Sequence, residues 1–174
     1  MTDLFTPYEL KGMRLKNRVV MPPMCQYAVD TLDGSPNDWH FVHYVSRAVG
    51  GTGLIIVEMT GVHPDGRITD HDTGIWSDMH IEAYRRITTA VHAHGAKIGI
   101  QLGHAGRKAL DANPPVAPSA IPFDEKSKMP EALTAQGIAE LIEAYREGAR
   151  RAVEAGFDTV EIHGAHGYLI HQFH

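Results

Sequence analysis

Apolar positions along this chain follow two alternating rhythms. Four short runs, at 18–21 (RVVM), 54–57 (LIIV), 97–100 (KIGI) and 159–162 (TVEI), are apolar or β-branched and bounded by Gly, Pro or polar residues. Buried strands have this pattern. Between the runs the spacing turns helical. In the first gap Phe41, Tyr44, Val45, Ala48 and Val49 recur at i, i+3, i+4, i+7 and i+8, with Asn37 or Asp38 as cap and Gly50-Gly51 as stop. In the second, Ser77 is the expected cap of a helix carrying Ile81, Tyr84, Thr88 and Val91 on one face, ending near Gly95. In the third, Thr134 opens a longer helix with Ile138, Leu141, Ile142, Tyr145, Ala149, Ala152 and Val153 on its apolar face, closed by Gly156.

Strand and helix in strict alternation mean an α/β fold of parallel strands joined by right-handed crossovers. A doubly wound open sheet and a closed barrel share this order. The open sheet usually carries a Gly-rich phosphate turn after its first strand. Here the first strand runs instead into Pro22-Pro23-Met24-Cys25-Gln26-Tyr27. The pattern therefore predicts a (β/α)8 TIM barrel. A complete one takes about 250 residues, so the 174 present are expected to hold its first four strands, with 1–174 one truncated domain. Ahead of them Tyr8-Glu9-Leu10 and Arg14-Leu15 flank Lys11-Gly12-Met13, read as a small hairpin plugging one end of the barrel. The stretch 109–130, with Pro114, Pro115, Pro118, Pro122 and Pro130, reads as a long surface loop.

Composition narrows the function classes. Hydrophobic residues make up 43% and charged residues 21%, ordinary for a soluble globular protein. A formal charge of -5, from 16 basic and 21 acidic side chains, argues against nucleic acid or an anionic membrane as partner. The basic cluster at 146–151 is diluted by Glu147 and reads as a solvated helix face. One cysteine, Cys25, excludes an internal disulfide and fits a reducing cytoplasm. No signal-peptide pattern opens the chain, and no apolar run approaches the roughly 20 residues that span a bilayer. The unusual count is 12 histidines.

In parallel α/β folds ligands bind at the carboxyl ends of the strands. Met24, Cys25 and Tyr27 follow the first run, Glu58, Met59 and Thr60 the second, Gln101 and His104 the third, and His163, His166 and Tyr168 the fourth. The last group is the most telling. Two imidazoles three residues apart, leaving a strand through small residues, can aim two N–H donors at one carbonyl oxygen. A phenol two residues later can act as general acid. Packing or turn-capping histidines are the alternative. Metal is another, because His163, His166 and His171 are close in sequence and three histidines suit zinc. However, no His-Glu-x-x-His pattern or carboxylate spacing accompanies them. His40, His43, His92 and His94 lie on helical patterns and are expected at the surface. The Gln101 amide both donates and accepts, which suits a flavin imide edge or equally a satisfied core amide. Cys25 is by default a small buried hydrophobe, but its place beside Pro-Pro-Met at a strand end favours a functional role.

The segments LFTPYELKGMRLKNRVVMPPMCQY, GLIIVEMTGVHPDGRITDHDTGIWSD, KIGIQLGHAGRK, APSAI and AGFDTVEIHGAHGYLIHQF resemble the Old Yellow Enzyme family. They are most similar to its bacterial, thermophilic-like subclass of NADPH dehydrogenases or ene-reductases. The resemblance covers essentially the whole chain but only the first half of the family's length. It implies a barrel holding non-covalent FMN, reduced by NADPH and reoxidised by a small activated alkene such as an α,β-unsaturated carbonyl compound. His163 and His166 would bind the substrate oxygen, Tyr168 would protonate the α-carbon, and Tyr27 would help position the oxygen. Pro23, Met24, Cys25, Met59 and Gln101 would contact FMN, with Cys25 tuning its potential. The same resemblance places four further strands, a basic residue near the flavin and the phosphate site outside these residues. Open first and fourth strands invite pairing with another chain, so a homo-oligomer is expected. A self-assembling half-barrel with weak or no flavin binding, and a histidine-metal hydrolase, are the other readings.

Overall fold

The computed structural model describes residues 3–174. Met1 and Thr2, the first residues of the segment without a signal-peptide pattern, lie outside the described residues. The hairpin forms as expected. β1 (Tyr8–Leu10) and β2 (Met13–Leu15) pair antiparallel, Tyr8 opposite Leu15 and Leu10 opposite Met13. Lys11 at φ 47° and Gly12 at φ 84° make the tight reversal, the positive-φ pair that matches the twist of two hairpin strands.

The alternating elements follow as β3 (Val20–Met21), α1 (Asp38–Val49), β4 (Leu54–Gly61), α2 (Met79–Ala93) and β5 (Lys97–Gly103). The short strands β6 (Val116–Ala117) and β7 (Glu131–Ala132), then α3 (Ala135–Glu154), β8 (Thr159–Ile162) and α4 (Leu169–Gln172), complete the order. β3, β4, β5 and β8 form one parallel sheet in that sequence. Among the described residues it stays open, with β3 and β8 at its edges. Ile55, Val57, Ile98, Ile100 and Leu102 turn to one face and meet Tyr44, Ala48, Tyr84, Ile87, Val91 and Ala152 of the helices. The opposite face is left for the site.

Two helix caps agree with the pattern. The Asn37 side chain accepts from the Trp39 N–H at 3.1 Å, and the Thr134 hydroxyl accepts from the Gly137 N–H at 3.0 Å. Thr134→Ala is expected to lower unfolding free energy by about 1 kcal/mol, seen as an earlier urea midpoint. The third cap differs. Asp78 flanks α2, and Ser77 reaches the Met79 N–H only at 3.4 Å. Its own amide is engaged with His80 Nδ1 at 3.2 Å.

Several expectations need correction. His40 and His43 are buried: 40, 44 and 48 follow one line along α1 that faces the sheet, and His43 packs edge to face on Tyr44 with ring centroids 5.0 Å apart. Burial lowers the His40 pKa to about 4 and that of His43 below its usual value. His92 and His94 are exposed as expected. β4 and β5 run on to Gly61 and Gly103, so Glu58, Met59 and Gln101 are strand residues rather than strand ends. Polar residues continue a buried strand when each finds a partner. Glu58 has Tyr44, Thr60 lies 3.2 Å from the Thr73 hydroxyl, and Gln101 has Glu161. The Pro-rich loop is pinned by parallel pairing of β6 with β7. Ile142 and Val153 lie 66% and 70% exposed rather than on the buried face, Ile142 where α3 overhangs the β8 edge. Ile142, Ile162 and Phe173 line an apolar groove there of about 280 Å³.

Candidate active site

The register across the sheet sets the first part of the site. Met59 stands opposite Gln101, and Gln101 opposite Glu161. Paired residues share a face, so the three side chains form a row. Gln101 Nε2 donates to Glu161 Oε1 at 2.6 Å, leaving its carbonyl oxygen without a hydrogen-bond partner among the described residues. Gly103 allows the next contact. A Cβ at that position would come within 2.6 Å of the Met59 side chain and 3.6 Å of His163 Cβ. Met59 therefore lies close against the end of β5, where it packs with Ile68, Ala105, Cys25 and Tyr168.

The second part follows β8. The His163 N–H continues the ladder to Leu102 O at 2.9 Å. Two consecutive left-handed residues, His166 at φ 58° and Gly167 at φ 70°, then reverse the chain. That reversal brings three rings together. His163 lies 5.0 Å from His166 and 5.2 Å from Tyr168 between ring centroids, and His166 lies 6.4 Å from Tyr168. The turn is braced from outside by Gln172 Nε2 on Gly167 O at 2.7 Å and Lys108 Nζ on His166 O at 3.0 Å. Lys108 Nζ also sits 4.9 Å from the Tyr168 ring centroid. His171 does not join the rings. Its Nδ1 accepts from the Gly167 N–H at 3.0 Å, and no metal-holding group of three His, Cys, Asp or Glu occurs among the described residues.

Electrostatics keep these groups protonated or neutral. Burial pushes the Cys25 thiol up to about 12, with Asp72 and Glu58 adding to the effect. Burial, then Cys25 and Asp72, raise Tyr27 to about 12. Tyr168 is raised by burial, with Cys25 and Asp72 as further causes. His163 is lowered by burial and then by His166, so it stays a neutral N–H donor at pH 7. A neutral imidazole beside a second imidazole can hold a carbonyl oxygen, while a protonated phenol stands ready as acid.

Of the residues singled out in the sequence, Cys25, Met59, His163, His166 and Tyr168 come together. Tyr27 faces the Cys25 sulfur, and Gln101 shares the Met59 row. Pro23 is half-buried, and Met24 turns to the surface at 46% exposure. Glu161, Gly103 and Lys108 escaped the sequence reading. Each acts through a partner distant in the chain, so a signal would have needed the strand register in advance.

The chain is 57% identical over 173 residues to an NADPH dehydrogenase of Listeria monocytogenes serotype 4a (strain HCC23), covering 99% of this chain and 51% of that protein. It is structurally similar to morphinone reductase, with a TM-score of 0.90 and 36% identity over 99% of this chain and 50% of the other. An Old Yellow Enzyme from Pichia sp. AKU4542 gives a TM-score of 0.90 and 34% identity over 99% of this chain and 48% of that one. The chain thus spans about half the length of the relatives it matches. With residues 3–174 matched throughout, it belongs to the NADH:flavin oxidoreductase / NADH oxidase family.

Proposed function

We propose that this chain forms the substrate-facing half of an FMN-dependent oxidoreductase that uses NADPH to reduce the C=C bond of α,β-unsaturated carbonyl compounds. The observation carrying this reading is the convergence of His163, His166 and Tyr168 beside Cys25 and Met59. The residues present fit FMN. Gln101 has a carbonyl oxygen and a second amide hydrogen to offer an imide edge, and Met59 and Cys25 supply a soft, apolar wall. Pro23 and Met24, on the same segment as Cys25, complete the proposed contacts. FMN, when bound, supplies the hydride chemistry. His163 and His166 hold the substrate oxygen through their N–H groups, Tyr27 helps to position it, and Tyr168 delivers a proton to the α-carbon. The raised pKa values of both tyrosines suit groups that must be protonated when substrate arrives.

Residues 1–174 are then one unit, the first half of a TIM barrel. The open β3 and β8 edges and the apolar groove beside β8 would take up further strands, from a longer chain or from a second copy in a homo-oligomer. The single cysteine suits a cytoplasmic setting.

The test begins with a visible absorption spectrum of the desalted chain after incubation with FMN. Retained flavin bands, bleached anaerobically by NADPH and restored by 2-cyclohexenone, are expected. A colourless chain overturns the reading for these residues. The double substitution His163→Ala/His166→Ala is expected to slow restoration by the enone about 100-fold or more while leaving bleaching by NADPH in place.

A further inference from the structure

The geometry points to Glu58 as the positioning residue for the arm that carries Cys25 and Tyr27. The register between β4 and β5 jumps at this point, with Val57 opposite Ile100 and Met59 opposite Gln101. Glu58 is the extra residue of a β-bulge, and an extra residue is left out of the ladder. Its amide donates to the Tyr44 hydroxyl oxygen at 3.1 Å instead. The Tyr44 hydroxyl donates back to Glu58 Oε1 at 2.8 Å. That leaves Oε2, which accepts from the Gln26 N–H at 2.7 Å.

A fully buried carboxyl is an expensive way to fill a bulge. Leucine would pack there without desolvating a charge. What the carboxyl adds is an acceptor for an amide of the arm. Pro22 and Pro23 bring no N–H to that segment, whereas Gln26 brings its own to Glu58. The residues on either side of Gln26 are the functional ones. Cys25 faces the Tyr27 hydroxyl and the Met59 backbone. Tyr27 is held at φ 51°, a left-handed conformation that is costly for a bulky residue. An anchor on the intervening amide holds both side chains over the site.

The groups facing Glu58 support this arrangement. From α1 come Tyr44 and His40, whose Nε2 is buried without a hydrogen-bond partner 3.6 Å from Oε1. His40 Nδ1 lies 3.1 Å from the Asn37 amide nitrogen and 2.8 Å from Asn37 Oδ1. Asp72, Cys25 and Tyr84 are the remaining titratable neighbours. The importance of the arm rests on the function proposed above, but the lock itself is independent of flavin.

Cys25 is the single cysteine, so thiol labelling of the full 174-residue chain reads one position on the arm. Comparing two variants that both remove the Glu58 charge beside the thiol isolates the lost acceptor. At constant pH, Glu58→Leu is expected to raise the labelling rate about tenfold, the effect of one lost hydrogen bond to a charged acceptor. Glu58→Gln, which keeps an amide oxygen as acceptor, is expected to restore the parent rate to within about twofold. Amide exchange of β5 should stay as protected in Glu58→Leu as in the parent. An unchanged labelling rate in Glu58→Leu overturns the assignment. So does a rise matched by lost protection across β5, or a failure of glutamine to restore the rate. Loss of flavin uptake with the labelling pattern intact would instead count against the proposed function.

Discussion

Between about pH 4 and pH 8, the unfolding free energy of Glu58→Gln is expected to gain on the parent protein by on the order of 3 kcal/mol. Burial raises the Glu58 pKa from 4.5 to about 7 against the opposing hydrogen bonds from Gln26 and Tyr44, with Asp72 adding to the rise. In the unfolded chain the carboxyl releases its proton near 4.5. In the folded chain it holds that proton until about 7. The folded state therefore binds more protons across this window, and the parent loses stability as pH rises through it. Glutamine has no proton to lose. The buried histidines act in the other direction. His40 and His104 have pKa values lowered to about 4 and about 3, mainly by burial, so they withdraw stability as pH falls below their usual value. His104 remains in the variant and cancels in the difference. His40, 3.6 Å from Glu58 Oε1, is coupled to the substituted group, and its pKa of about 4 confines that coupling to the acid end of the range. Urea unfolding of the two proteins at each end of the range measures that difference. The same gap at both pH values would refute the raised pKa of the buried Glu58 carboxyl.

Tyr84→Ala is expected to remove about 3–5 kcal/mol of stability, the range for truncating a buried aromatic side chain. Tyr84 is fully buried on α2. Its ring meets Phe157 edge to face with centroids 5.5 Å apart, and its hydroxyl donates to Gly74 O at 3.2 Å. The residue thus ties α2 to the entry into β8 and to the segment after β4. Truncation opens a cavity at this junction and leaves a buried carbonyl without its donor, two penalties that add. Since a domain has only about 5–15 kcal/mol in total, a large fall in the urea midpoint should result. Tyr84→Phe, which keeps the ring and loses only the hydroxyl, should cost about 1 kcal/mol. Equal losses in the two variants would mean that the hydroxyl, and not the packing, holds the junction.

How much of this site could be read from the chain depends on distance along it. His163, His166 and Tyr168 lie within one turn, and residues so close are brought together by local backbone geometry alone. Their convergence was legible. The positive φ of His166 that completes it was not, because no glycine marks that position. Cys25, Met59 and Tyr168 meet across three separate segments. Only the resemblance to a known family, not spacing, placed the first two at the flavin.

The sequence by itself determined the order of strands and helices, the Thr134 cap, a cap for α1 at Asn37 or Asp38, the Lys11-Gly12 turn and the His163–Tyr168 cluster. Each of these depends on apolar periodicity or on hydrogen bonds between residues a few positions apart. The tertiary structure decided the rest. His40 became buried because the line of α1 that carries it faces the sheet, and His43 because it packs against Tyr44 on that line. Gln101 found Glu161 60 residues away, and Gln26 found Glu58 32 residues away. Those partners follow from strand register and from a single bulge in β4. Register is a property of two strands at once, so neither strand's own pattern contains it.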